Sequence, residues 1–425
     1  MARAMKDSGI EWIGEIPVGW EVRKVKHYYE MQTGFTPDTK KEQFYDDENG
    51  YDWVNISDIQ DGKTIFTTKK KVSQLFIDQY TPTIIPEGSL LYSFKLSVGQ
   101  TAFTGKDMYS NEAIAAFLPV NEANLRFLRY SSSLIIENAE VNIYNARILN
   151  RDRINNAYIV FPPKAEQSRI ADFLDAECAR IDAVIEQTRA SIEEYKKLKQ
   201  SVITQAVTKG IRPGRKMQDS GIEWVGDIPE DWEVRRIKTL FRLRDEKNYL
   251  PLEEVNLISL YTDKGVVQHC DLEQTTGNKA SNADGYKKVY ENDIVVNIIL
   301  CWMGAIGRST YAGVTSPAYD IYVPSDDIEC RYYHHYFRTN GFSGDCYKRG
   351  KGIMAMRWRT YSDQFRDIQV VMPPKKEQQE ILAYLDAKTA EIEKLIAKKE
   401  KLLSELESYK KSLIFEYVTG KKEVV

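Results

Sequence analysis

Residue types capable of covalent chemistry occur in this chain, but not at the spacings such chemistry uses. Gly99 to Asp107 reads GQTAFTGKD, close to a phosphate-cradling loop, yet it has one residue too many and Asp107 where a Ser or Thr would hold magnesium. Asp61-Gly62-Lys63-Thr64 carries the lysine and threonine, but Ser57 occupies the place of the first glycine. The four histidines are His27, His269 and the adjacent His334 and His335; none belongs to an HExxH pattern, and His269-Cys270 lacks further ligands at metal spacing. The five cysteines (Cys178, Cys270, Cys301, Cys330, Cys346) never fall in CxxC spacing, and their odd number reads as free thiols of a reducing cytoplasm. The proline pairs stand in FPPK and MPPK, not in the loop that positions an exocyclic amine for methyl transfer. Turns and packed side chains are the simpler reading throughout, so we expect no catalytic residue and no metal site on this chain.

Basic and aromatic residues do cluster. The first half offers Thr36, Lys40, Lys41, Lys69, Lys70, Lys71, Lys95, Arg147 and Arg151. The second offers Lys287, Lys288, Asn297 and the run KRGKGIMAMRWR, which contains Lys348, Arg349, Lys351, Arg357 and Arg359. Lysines and arginines beside Tyr347 and Trp358 suit phosphate contacts, with Arg or Asn reaching base edges. Ordinary solvated charges account for a share of them. With 59 Lys+Arg against 62 Asp+Glu, the formal net charge is -3, so a nucleic-acid surface here would be a local patch on a neutral whole.

The elements that must position these patches announce themselves by repetition. Asp7 to Lys26 reads DSGIEWIGEIPVGWEVRKVK, and Asp219 to Lys238 reads DSGIEWVGDIPEDWEVRRIK, identical at 14 of 20 positions and 212 residues apart. Trp12, Trp20, Trp224 and Trp232 recur in register and read as packing anchors. Between the copies the texture is strand and turn: YDWVNISDI, PEGSLLYSF and AIAAFLPV in the first half, LISLYTDKGV and YENDIVVNI in the second. Identity nearly vanishes there, with Glu87 pairing Glu291 at an offset of 204. A chain of 425 residues with 42 % hydrophobic content is expected to form at least two folded domains, and no apolar run reaches membrane-spanning length.

Each half ends in a long helix. Glu166-Gln167 and Glu377-Gln378 open helical patterns after Pro-Pro-Lys, at an offset of 211. A heptad walk from Ile170 lands on Leu174, Ile181, Val184, Tyr195 and Leu198; the same walk from Ile381 lands on Leu385, Ile392, Leu395, Leu402, Leu406 and Leu413. The pattern predicts a first helix over 166–207, roughly 60 Å long, stopped by the basic Gly/Pro stretch KGIRPGRK.

Four features together resemble the specificity subunit of type I restriction-modification systems across nearly the whole chain. They are the DSGIEWIGEIPxxWE opening, present twice, the WVNISDI segment (Trp53 to Ile59), the PPKxEQxxI helix entries, and the LDA within each helix. The second half departs at NLISLYTD, where the WVNISDI type would fall. The resemblance implies an α+β chain: target-recognition domain 1 over residues 1–160, a spacer helix over 161–207, a basic linker over 208–218, target-recognition domain 2 over 219–371, and a second spacer helix over 372–425, with the two helices paired antiparallel as a coiled coil. It further implies that each domain reads half of a split, asymmetric site in double-stranded DNA, and that the helices dock two adenine-methyltransferase subunits and, with them, motor-nuclease subunits. S-adenosylmethionine, ATP and magnesium would then sit on those partners, and this cytoplasmic chain would catalyse nothing. A coiled-coil adaptor presenting two protein-binding domains is the alternative that the heptads alone would allow.

Overall fold

The central strand segments LLYS, IAAF and IVVN are largely apolar without alternation, which calls for sheets covered on both faces. A computed structural model of the chain describes residues 3–95, 97–120, 124–141, 147–269, 282–352 and 358–424, with backbone alone at 140–141 and 147–148. It divides into two units, Met1–Thr188 with Leu402–Val425, and Arg189–Lys401.

The sheet of the first unit comprises β1 (Met31–Thr33), β2 (Lys63–Ile65), β3 (Leu90–Ser93), β4 (Thr101–Thr104) and β5 (Ile114–Phe117), in the order β1-β5-β3-β4-β2. The second unit has β6 (Phe241–Arg244), β7 (Ile294–Asn297), β8 (Ile306–Arg308) and β9 (Tyr319–Pro324), in the order β6-β9-β7-β8. Position for position this is the same antiparallel arrangement, with β3 and β7 offset by the 204 residues that separate Glu87 from Glu291. The first unit adds β2, parallel to β4. Sequence identity has gone while the scaffold has stayed.

Both faces of each sheet are buried, against different things. In the first unit Leu90, Tyr92, Ala115 and Phe117 face a core that includes Trp20, Phe161, Ile170 and Leu174. The alternate residues Leu91, Ala102, Ile114 and Ala116 face an outer cluster with Val54, Ile59 and Met108. In the second unit Ile294, Val296 and Tyr322 face Trp232, Val371 and Ile381, whereas Val295 and Ile321 face Ile258 and Leu260. The repeated framework thus covers one face of each sheet, and the divergent segments build on the other.

Helix α1 runs over Lys164–Lys209 and α2 over Lys375–Val418, two residues beyond the expected bounds of the first helix at each end. Each helix gives one part to each unit. In the first unit Phe173 rests on Tyr417 with ring centroids 4.4 Å apart, and Lys410 Nζ bonds both Asp182 oxygens at 2.7 and 2.8 Å. In the second, Lys399 lies over the Tyr195 ring at 5.8 Å and Lys199 pairs with Glu393. Within each unit the two helices therefore run antiparallel. Asp182 and Glu393, like Lys199 and Lys410, are 211 positions apart, so each ion pair is the repeat's image of the other.

The seam itself differs from the heptad walk. Buried positions along the seam of α1 are Gln167, Ala171, Leu174, Cys178, Ile181, Ile185, Thr188 and Ile192; Ile170 is buried beside it, and Ile203, Ala206, Val207 and Thr208 are buried near the helix end. Adding 211 gives Gln378, Leu382, Leu385 and Ile392, buried on α2, with Ile396 and Leu403 half-buried further along. Ile170, Leu174, Ile181, Ile381, Leu385, Ile392 and Leu413 are buried. Tyr195, Leu395 and Leu406 are half-buried. Val184, Leu198 and Leu402 are 44 %, 48 % and 42 % exposed, and their places in the seam are taken one residue on, at Ile185 and Leu403 and, for Leu198, at the half-buried Lys199. The walk started on the correct face but stepped 4-then-3 where the helix uses 3-then-4, because Ile170 lies beside the seam residue Ala171.

The motif residues clasp these helices to the entry segments. Glu166 accepts from Arg3 and, at 2.8 Å, from Trp20 Nε1; Glu377 accepts from Arg215 and, at 3.1 Å, from Trp232 Nε1. Gln167 and Gln378 reach back to the carbonyls of Pro162 and Pro373 at 2.9 and 2.8 Å. The aspartates of the two LDA sequences bind arginines on short helices: Asp175 holds Arg126 at 3.1 Å, and Asp386 holds Arg331 at 2.6 Å. Tails are gripped too. A Cβ at Gly420, whose φ is +72°, would come within 2.5 Å of Pro17 and 2.9 Å of the Trp20 ring, and one at Gly210 within 3.2 Å of Trp232. The stretch read as a basic linker is consequently not free: Arg212 pairs with Glu380, and Arg215 with Glu377 and Asp231.

Candidate nucleic-acid interface

In the first unit the outer layer of the sheet opens into a cleft of about 970 Å³, and the WVNISDI segment forms its floor. Strand character ends at Val54; Asn55 then caps a single helical turn over Ile56–Asp58, its side-chain Oδ1 accepting the Ile56 N–H at 3.1 Å while the Asp58 carboxylate takes the Asn55 N–H at 2.9 Å. That reciprocal cap bends the chain away from the sheet. Trp53, 3 % exposed, donates from Nε1 to the Phe35 carbonyl at 3.0 Å and packs with Phe44, Phe76 and Tyr109 beneath the cleft.

Thr36, Lys70 and Lys95 reach the lip, and with them Glu112, which the sequence reading did not single out. Thr36 donates to Glu112, and Lys95 Nζ stands 3.7 Å from the other carboxylate oxygen. Partial burial would raise the Glu112 pKa, but the hydrogen bonds from Thr36 and from its own backbone, with Lys95, hold the carboxyl below the usual range. Lys40, Lys41 and Lys69 are exposed, Lys41 lying 5.2 Å over Phe44 and Lys70 5.5 Å over Tyr45. Lys71 is half-buried and donates to the Glu48 carbonyl at 3.2 Å. Arg151 is exposed in the first turn of the helix Arg151–Asn156, and the Arg147 side chain lies outside the described residues.

In the second unit two expected contacts are withdrawn. Asn297 is 7 % exposed, and its side-chain Oδ1 accepts the N–H groups of Ile299 and Leu300 at 2.9 and 3.3 Å, so it caps the turn after β7. Lys287 pairs at 2.9 Å with Asp320, itself 6 % exposed, and serves the core. Lys288 is half-buried. The basic run is exposed in part. Lys348, Arg349 and Lys351 are exposed, with Lys348 bonded to Glu223 at 2.5 Å. The amides and carbonyls of Lys351 and Arg359 pair at 2.8 and 3.0 Å; Arg357 lies outside the described residues. Trp358 returns onto Tyr347, stacked at 4.9 Å and 20°, and Tyr347 meets Trp302 at 5.6 Å. The result is an aromatic column with exposed cations adjoining it in sequence, the residue types that stacking on bases and neutralising phosphates use.

The same helical frame holds His334 and His335 half-buried in this unit. Burial, reinforced by His335 and nearby arginines, pushes His334 down to about 3, and burial pushes His335 down to about 4. His334 Nδ1 accepts the Arg308 N–H at 3.1 Å. These are neutral packing groups. No trio of His, Cys, Asp or Glu among the described residues is placed to hold a metal, and no described helix is long and apolar enough to cross a membrane.

Comparison with known proteins agrees with this division into repeats. The chain matches the family described as the type I restriction modification DNA specificity domain twice, over residues 17–194 and 229–404. It is 26 % identical over 441 residues to a relative from Methanocaldococcus jannaschii named the type I restriction enzyme MjaX specificity subunit, covering 97 % of this chain and 96 % of that one. A solved structure reported for the assembly and conformational transition of the type I R-M system superposes with a TM-score of 0.68 at 15 % identity, over 96 % of this chain and 99 % of its own. The HsdS subunit of Thermoanaerobacter tengcongensis gives a TM-score of 0.50 at 17 % identity, over 96 % and 98 %. At such identities the structures establish the shared fold, and the doubled family match does the rest. A frame repeated at 211 to 212 residues, two sheets of one topology under unlike outer layers, and two matches to one domain model lead to a single assignment: the chain belongs to the DNA specificity subunits of type I restriction-modification systems.

Proposed function

We propose that each unit reads one half of a bipartite, asymmetric site in duplex DNA, and that α1 and α2 dock two adenine-methyltransferase subunits, with motor-nuclease subunits joining them. The observation that carries this reading is the contrast between the two faces of each sheet. The framework face is the same in both units down to the Arg–Glu–Trp clasp, whereas the surfaces carried on it differ: a cleft with Thr36, Lys70 and Lys95 on the outer side of the first sheet, and in the second unit an aromatic column, its Trp302 packed on the framework-side core, with exposed Arg349 and Lys351. Unlike surfaces on like frames suit two different half-sites. Val184, Leu198, Leu402 and Tyr409, apolar and exposed off the helix seam, are the docking positions we assign to the methyltransferase partners. With a net charge of -3, the chain leaves much of the phosphate neutralisation to those partners, which would also carry S-adenosylmethionine, ATP and magnesium.

Sequencing the methylated bases of a host that carries this chain with its methyltransferase partners tests the reading. An adenine-methylated motif in two unlike halves around a fixed spacer is expected; a contiguous or palindromic motif would sink it. Affinity of the assembled complex for random duplex should fall with added salt, and a flat response would point to the protein-adaptor alternative.

A further inference from the structure

The cleft of the first unit has one carboxylate among its described lining residues, Glu112. A negative charge beside Lys70 and Lys95 opposes phosphate binding, so its presence asks for a donor on the ligand. Its position is set by the backbone. Asn111 and Ala113 on either side are buried, and Asn111 is fixed by donating to Asn55 Oδ1 at 2.7 Å and by accepting the Ala113 N–H at 2.9 Å. Glu112 is left pointing outward at the tip of the turn. The strand that orients it from the side can approach only because residue 34 is glycine: a Cβ there would lie 1.8 Å from the Ser110 carbonyl oxygen. That approach lets the Phe35 N–H reach Ser110 at 2.8 Å and brings the Thr36 hydroxyl onto Glu112. One oxygen is thus tethered by Thr36 and the other faces Lys95, and each keeps accepting capacity toward the open cleft.

In a DNA major groove, the edge groups that donate are the exocyclic amines, N4 of cytosine and N6 of adenine; O6 and N7 of guanine and O4 of thymine would meet the carboxylate lone pair to lone pair. Resting on the DNA-reading function above, we propose that Glu112 accepts a hydrogen bond from an exocyclic amine and so fixes one base pair of the half-site read by the first unit. Its value is largely exclusion, since a base presenting an acceptor at that point leaves a charge unpaired against it. Carboxylates elsewhere on the chain that approach cations, such as Asp293 with Arg244 or Asp52 with Lys106, are buried and consumed by their partners; Glu112 is oriented and open.

The test uses the complex with its methyltransferase subunits. Wild type and Glu112→Gln are compared by sequencing the methylated motif in cells, then by binding duplexes in which single cytosines are replaced by 2-pyrimidinone or single adenines by purine. Glu112 is exposed and Gln is isosteric, so folding is retained, which methylation at wild-type motifs in vivo reports independently. We expect relaxed preference at one position of one half-site. One base lacking its amine, pyrimidine or purine, should weaken wild type about tenfold and weaken the variant clearly less, because Gln keeps an acceptor but loses the charge and adds a donor. The base type that shows this non-additivity distinguishes cytosine from adenine. A motif unchanged in the variant, or every substitution costing both proteins equally, overturns the assignment of Glu112 and leaves the two-reader function standing. Relaxation at positions in both halves overturns both.

Discussion

Glu377 holds the second unit together at a point where three elements meet, and its removal has a calculable consequence. The side chain is 4 % exposed; it accepts from Arg215, whose side chain is 16 % exposed, and from the Trp232 indole at 3.1 Å. It also sits in the first turn of α2, where a negative charge meets unpaired N–H groups. Glu377→Ala leaves the half-buried Arg215 guanidinium with Asp231 as its remaining carboxylate and orphans the buried Trp232 indole N–H, a loss of about 2–4 kcal/mol. Glu377→Gln keeps an acceptor and removes the charge, which costs roughly 1.5–3 kcal/mol. Against a domain stability on the order of 5–15 kcal/mol, the first is a large fraction. Hydrogen exchange on the full chain reads the effect locally. Amides of 217–236 and 375–385 should exchange roughly 1.5 to 3 orders of magnitude faster in the alanine variant. The equivalent amides around Trp20 and Glu166 should not change, which makes them an internal control. Protection altered by less than about threefold in the second unit would refute the clasp as an energetic element. The mirrored group offers a pH check. Burial would raise the Glu166 pKa, but hydrogen bonds from Arg3 and Trp20 outweigh it and hold the carboxyl below its ordinary 4.5. Its contribution is therefore complete above that value and is lost as pH falls through the depressed folded one.

Three further outcomes follow from named geometry. Ile185→Asp, in the helix seam, should cost several kcal/mol in thermal unfolding, whereas Val184→Asp should stay within about 0.5 kcal/mol of wild type; equal effects would restore the original heptad register. His334, pushed by burial down to about 3, has a folded pKa below its unfolded 6.5, so the second unit is most stable above pH 6.5 and loses on the order of 2 kcal/mol from this group by pH 5; a denaturation midpoint for this unit that is flat over that range in wild type, or equally steep after His334→Asn, contradicts it. Arg349→Ala and Lys351→Ala, on exposed cations, should each lower the salt slope of DNA binding by about one, while Lys287→Ala should act on stability and leave the slope unchanged.

Much of the frame was legible because repetition is a pattern in the sequence itself. The entry segments, the Pro-Pro-Lys helix starts and the LDA aspartates were all visible, and PEGSLLYSF, AIAAFLPV and YENDIVVNI supplied β3, β5 and β7. The seam was misread by one residue because Ile170 and Ala171 are both buried, and only packing shows which begins the 3-then-4 alternation. Side-chain commitment was not legible at all. Nothing in VVNII marks Asn297 as a cap, and nothing in the pair Lys287-Lys288 shows that one faces a buried aspartate. Glu112 escaped notice since a search for cations passes over a carboxylate; its signal was the polar SNEA turn ahead of an apolar strand. Long-range pairing decides such cases, and local sequence carries little of it.

The division of the chain into units also sets an order in time. Residues 189–401 are contiguous, so the second unit has every part it needs once the ribosome has delivered them. The first unit does not: Trp20 and the start of α1 wait for residues from 402 onward, including Leu413, Val418 and Gly420. At typical synthesis rates of 5–20 residues per second, that wait is roughly 10 to 45 s. For that interval Leu174, Cys178, Ile181 and Ile185 lack the part of α2 that covers them. The half made first is finished last, and the nascent chain is most open to chaperones, or to aggregation, at the stretch its own tail has yet to cover.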